Sequence, residues 1–185
     1  MNNAAGLSLT GSPLIYFNLH FINGKIITGG NSLRTDLGVT IAGASASSYV
    51  NGAMSRNYNT GTNTQSFPIG NANYYTPVSL TINSLSAASY FIARTFVGDH
   101  PQIGGSELNP AKTVNKYWLI DNSGAGTFTT ADFNLSWNAV SGATNYRVES
   151  ADDPYGIWSA VTVTTNLFYS GAAVNKKFYR VIAIN

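Results

Sequence analysis

The side chains best placed for chemistry are Asp99, His100 and Glu107, which share one Pro- and Gly-containing stretch, 98–112. A histidine beside carboxylates is the arrangement that general acid–base catalysis or a metal site requires. Here the plainer reading, a polar loop with an incidental histidine, is preferred. Asp152 and Asp153 are adjacent, so on a strand they would face opposite ways. Ahead of Pro154-Tyr155-Gly156 they read as a solvated turn. No Asp-x-Asp-x-Asp-Gly loop is present to gather the oxygen ligands of calcium. His20 alternates with Asn18 and Ile22 in an apolar run and reads as a strand residue rather than a ligand.

Nucleophiles fare no better. The chain has no cysteine, which removes thiolate chemistry, thiolate metal sites and disulfides together. No Gly-x-Ser-x-Gly elbow occurs. The glycine-rich stretches 28–31 and 103–106 lack the Lys-Ser/Thr of a phosphate loop and precede no helix. An enzyme is therefore not expected, and neither a cofactor nor a metal. The remaining site chemistry is aromatic. Tyr74, Tyr75, Tyr155 and Trp158 are candidates to stack on sugar rings, while Trp118, Trp137 and Tyr146 are expected to fill the core.

Composition sets what must position these residues. Of 185 residues only 10% are charged, whereas 44% are hydrophobic and 12% aromatic, so the chain is neither disordered nor rich in solvated helix. The net charge of +2 is spread without runs, which argues against a nucleic-acid partner. No apolar run is long enough for a membrane-spanning helix. No basic segment followed by an apolar stretch marks a signal peptide at the start.

The chain reads as short strands divided by Gly, Asn and Pro. Leu14–Ile22 is the most apolar run, and Asn23-Gly24 after it is a hairpin signal. Lys25–Thr28, Ser32–Thr35, Val39–Ala42 and Tyr49–Tyr58 follow at the spacing of a meander or of small β-helix coils. Val78, Leu80 and Ile82 alternate with polar residues, as on a strand with one buried face. Tyr90–Val97 and Val114–Ile120 are further strands.

In order, Ile22–Leu33, Ser48–Arg56, Ser66–Gly70, Tyr75–Leu80 and Lys116–Ile120 resemble motifs of β-rich repeat modules in secreted and surface proteins of Bacteroidetes-type bacteria. The likeness spans about residues 14 to 130. It departs at Thr76 and Lys116, where those modules carry arginine. It implies a surface location and a non-enzymatic role. The tail, with Leu135-Ser136-Trp137, Tyr146-Arg147-Val148 and Phe178–Asn185, resembles a fibronectin type III sandwich. From Asp132 onward it has roughly half of the ~100 residues such a sandwich takes. Its first strand has no evident candidate and its last is missing, which would leave unpaired edges.

The expected architecture is all-β: a β-sandwich or short β-helix-like module over 1–130, then a truncated fibronectin-like sandwich over 131–185. The expected role is a non-catalytic extracellular building block, a subunit of a surface fibre or layer or an adhesin spacer. It would associate with itself or with neighbouring modules, without inserting in a membrane. Leu14, Tyr16, Leu19 and Phe21 are the candidate strand donors for an open edge. The alternative is a carbohydrate-binding module built on the exposed tyrosines and Trp158.

Overall fold

The computed structural model describes residues 1–98, 116–152, 157–173 and 178–185. Asp99, His100, Glu107, Asp153 and Tyr155 lie outside the described residues. Within them the chain is all-β, with sixteen strands and no helix.

The N-terminal half begins as a stack of parallel coils. Its strands are β1 (Leu7–Ser8), β2 (Leu14–Ile15), β3 (Leu19–His20), β4 (Ile26–Thr35), β5 (Ile41–Ala42), β6 (Val50–Tyr58), β7 (Gly61–Phe67) and β8 (Ile69–Gly70). Leu7, Ile26, Val50 and Ile69 stand in one column, so successive coils are 19, 24 and 19 residues apart. Leu14 and Ile15 lie over Arg34 and Thr35, which lie over Ser55 and Arg56. On the third side β3 pairs in parallel with β5. Phe21, Ile26, Leu33, Val50 and Met54 fill the stack and are nearly inaccessible to solvent.

This geometry corrects two sequence expectations. Leu14–Ile22 is not one strand: it bends between β2 and β3, and each piece forms a different side of the coil. Asn23-Gly24 does not close a hairpin, because the strands beside it pair with the next coil and not with each other. A type I′ hairpin needs positive φ at both central residues. Gly24 has φ of 82°, but Asn23 is not among the positive-φ residues. The glycine is needed for packing as well, since a Cβ there would lie 1.7 Å from the Asn3 carbonyl oxygen of the coil above.

From β6 onward the chain becomes a sandwich. The remaining strands are β9 (Val78–Leu85), β10 (Ser89–Val97), β11 (Lys116–Asn122), β12 (Thr130–Ser136), β13 (Asn145–Ala151), β14 (Ser159–Thr164), β15 (Phe168–Ala173) and β16 (Phe178–Ile184). One sheet runs β1-β4-β6-β10-β11-β16-β13-β14, with β2 also on β4 and β8 also on β6. The second sheet runs β15-β12-β9-β7. The stack and the sandwich thus share a single ten-stranded sheet. Alternation along β9 turns Val78, Leu80 and Ile82 into the core, as expected.

The tail edges left open in the sequence are closed from within the chain. β9 pairs with β12 through six residues, Asn83↔Thr130 to Val78↔Leu135. β11 pairs with β16 at Tyr117↔Arg180 and Trp118↔Tyr179. In each sheet the strands before and after residue 130 are therefore joined edge to edge, at β11·β16 and at β9·β12, and one apolar cluster extends from Phe21 to Ala183. Trp118, Trp137 and Tyr146 are buried in it. The Trp118 indole N–H donates to the Thr76 carbonyl at 3.2 Å, and Trp137 packs on Tyr146 at 5.6 Å.

The core tyrosines give the fold an alkaline limit. Burial raises the pKa of Tyr58, whose hydroxyl donates to Leu80 O at 2.9 Å. Burial, then Tyr169 and Asp152, push Tyr179 up to about 12. Folding thus favours the neutral phenols. Their contribution is complete below the unfolded value of about 10 and is lost as pH rises through the folded values. Urea midpoints are expected to fall between pH 10 and 12, less steeply in Tyr179→Phe. A midpoint unchanged over that range contradicts the assignment.

Candidate assembly edges

Four strand edges bound the two sheets: β1 with β2 and, opposite them, β14 in the long sheet; β15 and β7 in the short one. None of these strands contains Asp, Glu, Lys or Arg. The charges of the sandwich stand on strands that have neighbours on both sides: Arg34, Arg56, Arg94, Lys116, Asp121, Asp132, Arg147, Glu149 and Arg180. Soluble β proteins commonly guard an edge with charge, proline or a bulge, because its free N–H and C=O groups template further pairing. Here β14 has an irregularity opposite Val148 and Glu149, and β7 has one between Gly61 and Asn63. β15 runs in unbroken register with β12.

Exposed apolar surface follows the same distribution. Leu7, Tyr16, Phe17, Ile22, Ile27 and Leu37 are exposed around the first coils, and Ile157, Val161, Val163, Leu167 and Phe168 around β14. Elsewhere among the described residues only Tyr74, Val97 and Val140 are exposed large hydrophobics.

The outward face of the short sheet is polar yet nearly uncharged. Thr64 and Thr81 hydroxyls meet at 2.7 Å, and Asn134 Nδ2 donates to Ser170 Oγ at 2.8 Å. Asn83 Nδ2 donates to Thr130 Oγ1 at 3.0 Å and to Asp132 Oδ2 at 2.9 Å. Such a face loses little on meeting another, since few charges have to be desolvated.

The residues read as strand donors are dispersed. Leu14 and Leu19 are half-buried rungs opposite Arg34 and Ile41. Phe21 is core, at 1% exposure, whereas Tyr16 projects into solvent at 64%. The tail edges they might have filled already hold β9 and β11.

The described aromatic candidates, Tyr74, Tyr75 and Trp158, are each engaged by a neighbour. Lys116 Nζ sits 3.7 Å from the Tyr74 ring centroid, and Tyr75 packs on Tyr49 at 5.3 Å. Burial raises the Tyr75 pKa. The Trp158 ring covers the Arg180 guanidinium at 4.4 Å. Arg180 is paired with Tyr117, the neighbour of Lys116 in β11. Consecutive strand residues point to opposite faces, so Tyr74 and Trp158 are anchored on opposite sides of the long sheet and form no common platform.

One polar cluster had little signal in the sequence. Arg180 donates through Nε to Glu149 Oε2 at 2.7 Å, with Nη2 at 2.6 Å from the same oxygen. Arg147 Nε lies 2.9 Å from Oε1, an ion pair without hydrogen-bond alignment. Only the i, i+2 spacing of Arg147 and Glu149 hinted at a shared face; Arg180 arrives from β16 through the pairing Glu149↔Arg180. The cluster joins β13 to β16 and acts in packing. Among the described residues no three His, Asp or Glu side chains gather into a metal-binding group. No protein-family model, curated protein or solved structure matches the chain.

Proposed function

We propose that this protein is a non-catalytic extracellular structural subunit, of a surface fibre or layer or a spacer in an adhesin, and that it associates with its own copies through sheet edges. The observation that carries the reading is the withdrawal of charge from every outer strand while inner strands keep theirs. Uncharged edges on an otherwise ordered sandwich are a pairing surface. The order of surface-protein motifs along residues 14 to 130 supports the same class and location.

The tail fits a fibronectin-like half-sandwich. β12 between β9 and β15, and β16 between β11 and β13, follow the two-sheet pairing of immunoglobulin-like folds. In that reading β9 and β11 stand where that fold has its first and last strands. Edge pairing between subunits replaces donation of an N-terminal strand, whose acceptors are occupied. A glycan platform has less support, because the described rings proposed for it, Tyr74, Tyr75 and Trp158, are each engaged by a neighbour, with Tyr74 and Trp158 on opposite sides of the sheet.

Light scattering is expected to show particle mass rising with concentration. Raising salt from about 0.1 to 1 M shortens the Debye length from about 10 to 3 Å, and association between uncharged edges should persist through it. A variant with lysine at Ser8, Thr64, Val163 and Ser170, one on each outer strand, should remain folded and monomeric. A wild type that stays monomeric at all concentrations refutes the reading. Polysaccharide pull-down lost in Trp158→Ala would favour the glycan alternative.

A further inference from the structure

We infer that copies join head to tail, β14 of one subunit against the first coil of the next, so that the ten-stranded sheet continues across the joint. This rests on the self-association proposed above and specifies its partner surface.

The two surfaces are opposite ends of one sheet. Among the described residues, eleven of the fourteen exposed large hydrophobics lie in the first coils or in β14 and the residues flanking it in sequence. Residues 1–24 contain no charged side chain except the titratable His20, and residues 157–173 contain none. The amino terminus itself donates to His20 O within the first coil. Apart from that α-ammonium, neither end carries a charged side chain, so the contact leaves no unpaired side-chain ion buried.

Among the described residues the backbone is open at both ends. Leu7 N and Leu9 N donate to Lys25 O and Ile27 O of the second coil. By the alternation of strand hydrogen bonding, the N–H and C=O of Ser8 between them face outward. Pro13 O and Ile15 O accept from Arg34 N and Asp36 N, so the N–H and C=O of Leu14 face outward in the same way. β1 and β2 both lie along the ten-residue strand β4, so the coil end offers a long edge. At the opposite end of the sheet β14 pairs, among the described residues, with β13 alone.

Shape favours unlike ends. The coil end projects rings, Phe17 at 85% and Tyr16 at 64% exposure. β14 presents Ser159, Ala160, Val161 and Val163, which are small or β-branched. Large side chains over small ones interdigitate, whereas two coil ends would oppose ring to ring. A contact between unlike surfaces does not close on itself and propagates as a filament.

The test uses two full-length variants at exposed positions, Phe17→Lys at the coil end and Val163→Lys at the β14 end, each checked by circular dichroism and unfolding midpoint. Sedimentation velocity should find each variant monomeric at concentrations where the wild type assembles. An equimolar mixture should give 1:1 dimers and nothing larger, because only one intact pair of ends remains per two chains. Dimers of either variant alone would establish like-with-like contacts and overturn the proposal. Variants that assemble as the wild type does would place the contact elsewhere, overturning the head-to-tail joint but not self-association. A monomeric wild type would remove both.

Discussion

Replacing Glu149 with alanine is expected to destabilise the fold by about 3–5 kcal/mol, the cost of leaving a buried charge without its partner. Glu149 and Arg180 are 6% and 5% exposed, and Arg180 holds the carboxylate through two nitrogens. Trp158 covers one face of the guanidinium, so Arg180 cannot turn to water without giving up that contact. Arg147 differs: its side chain is 35% exposed, and it can solvate itself when the carboxylate is lost. Arg147→Ala should therefore cost under about 1 kcal/mol, as exposed pairs do. Replacing both members of the buried pair, Glu149→Leu with Arg180→Met, should recover most of the loss, because no charge then remains to be desolvated. Urea unfolding of the three variants checks the set. A loss below about 1 kcal/mol for Glu149→Ala would show that Arg180 reaches solvent and that the pair is not a closed unit.

That pair also shows how far the sequence could be read. Glu149 and Arg180 are separated by 31 positions, and nothing local brings them together. Period-two alternation placed Val78, Leu80 and Ile82 in a core because burial of one face is a local property. The parallel stack is non-local: each rung pairs with residues 19 to 24 positions away. Its corner at Asn23-Gly24 uses the same dipeptide as a hairpin, so composition could not separate the two. The partners of the tail edges were hidden for the same reason, since β9 meets β12 at pairs such as Leu80↔Phe133. The candidate surface was half legible. Charge-free stretches are visible in the sequence, but that they coincide with the outermost strands is a property of sheet order alone.

Arg56→Ala is the second large effect, expected at about 3 kcal/mol, and it arises from a different balance. No carboxylate faces this buried guanidinium among the described partners. Nη1 donates to Ser66 O at 2.7 Å and Nη2 to Val39 O at 2.5 Å. Desolvation lowers its pKa and the nearby Tyr58 partly opposes the shift, yet arginine remains protonated in proteins. Two carbonyl dipoles thus stand in for a counter-ion, and the fork ties β6 to β7 and to the turn leading into β5. Alanine would leave both carbonyls without their donor and open a cavity, each a cost of about 1–3 kcal/mol. Relief of the buried charge offsets part of this, which keeps the expected loss near 3 rather than 5. Methionine separates the two contributions: it fills the space and removes the charge but still abandons the carbonyls. Arg56→Met should fall between wild type and Arg56→Ala in urea unfolding. If it equals or exceeds the wild type, the carbonyls are indifferent to their donor and the fork is not what fixes β7. If it falls between, the uncharged edge strand β7 is held in place by a cation that the chain keeps inside, on β6 of the other sheet.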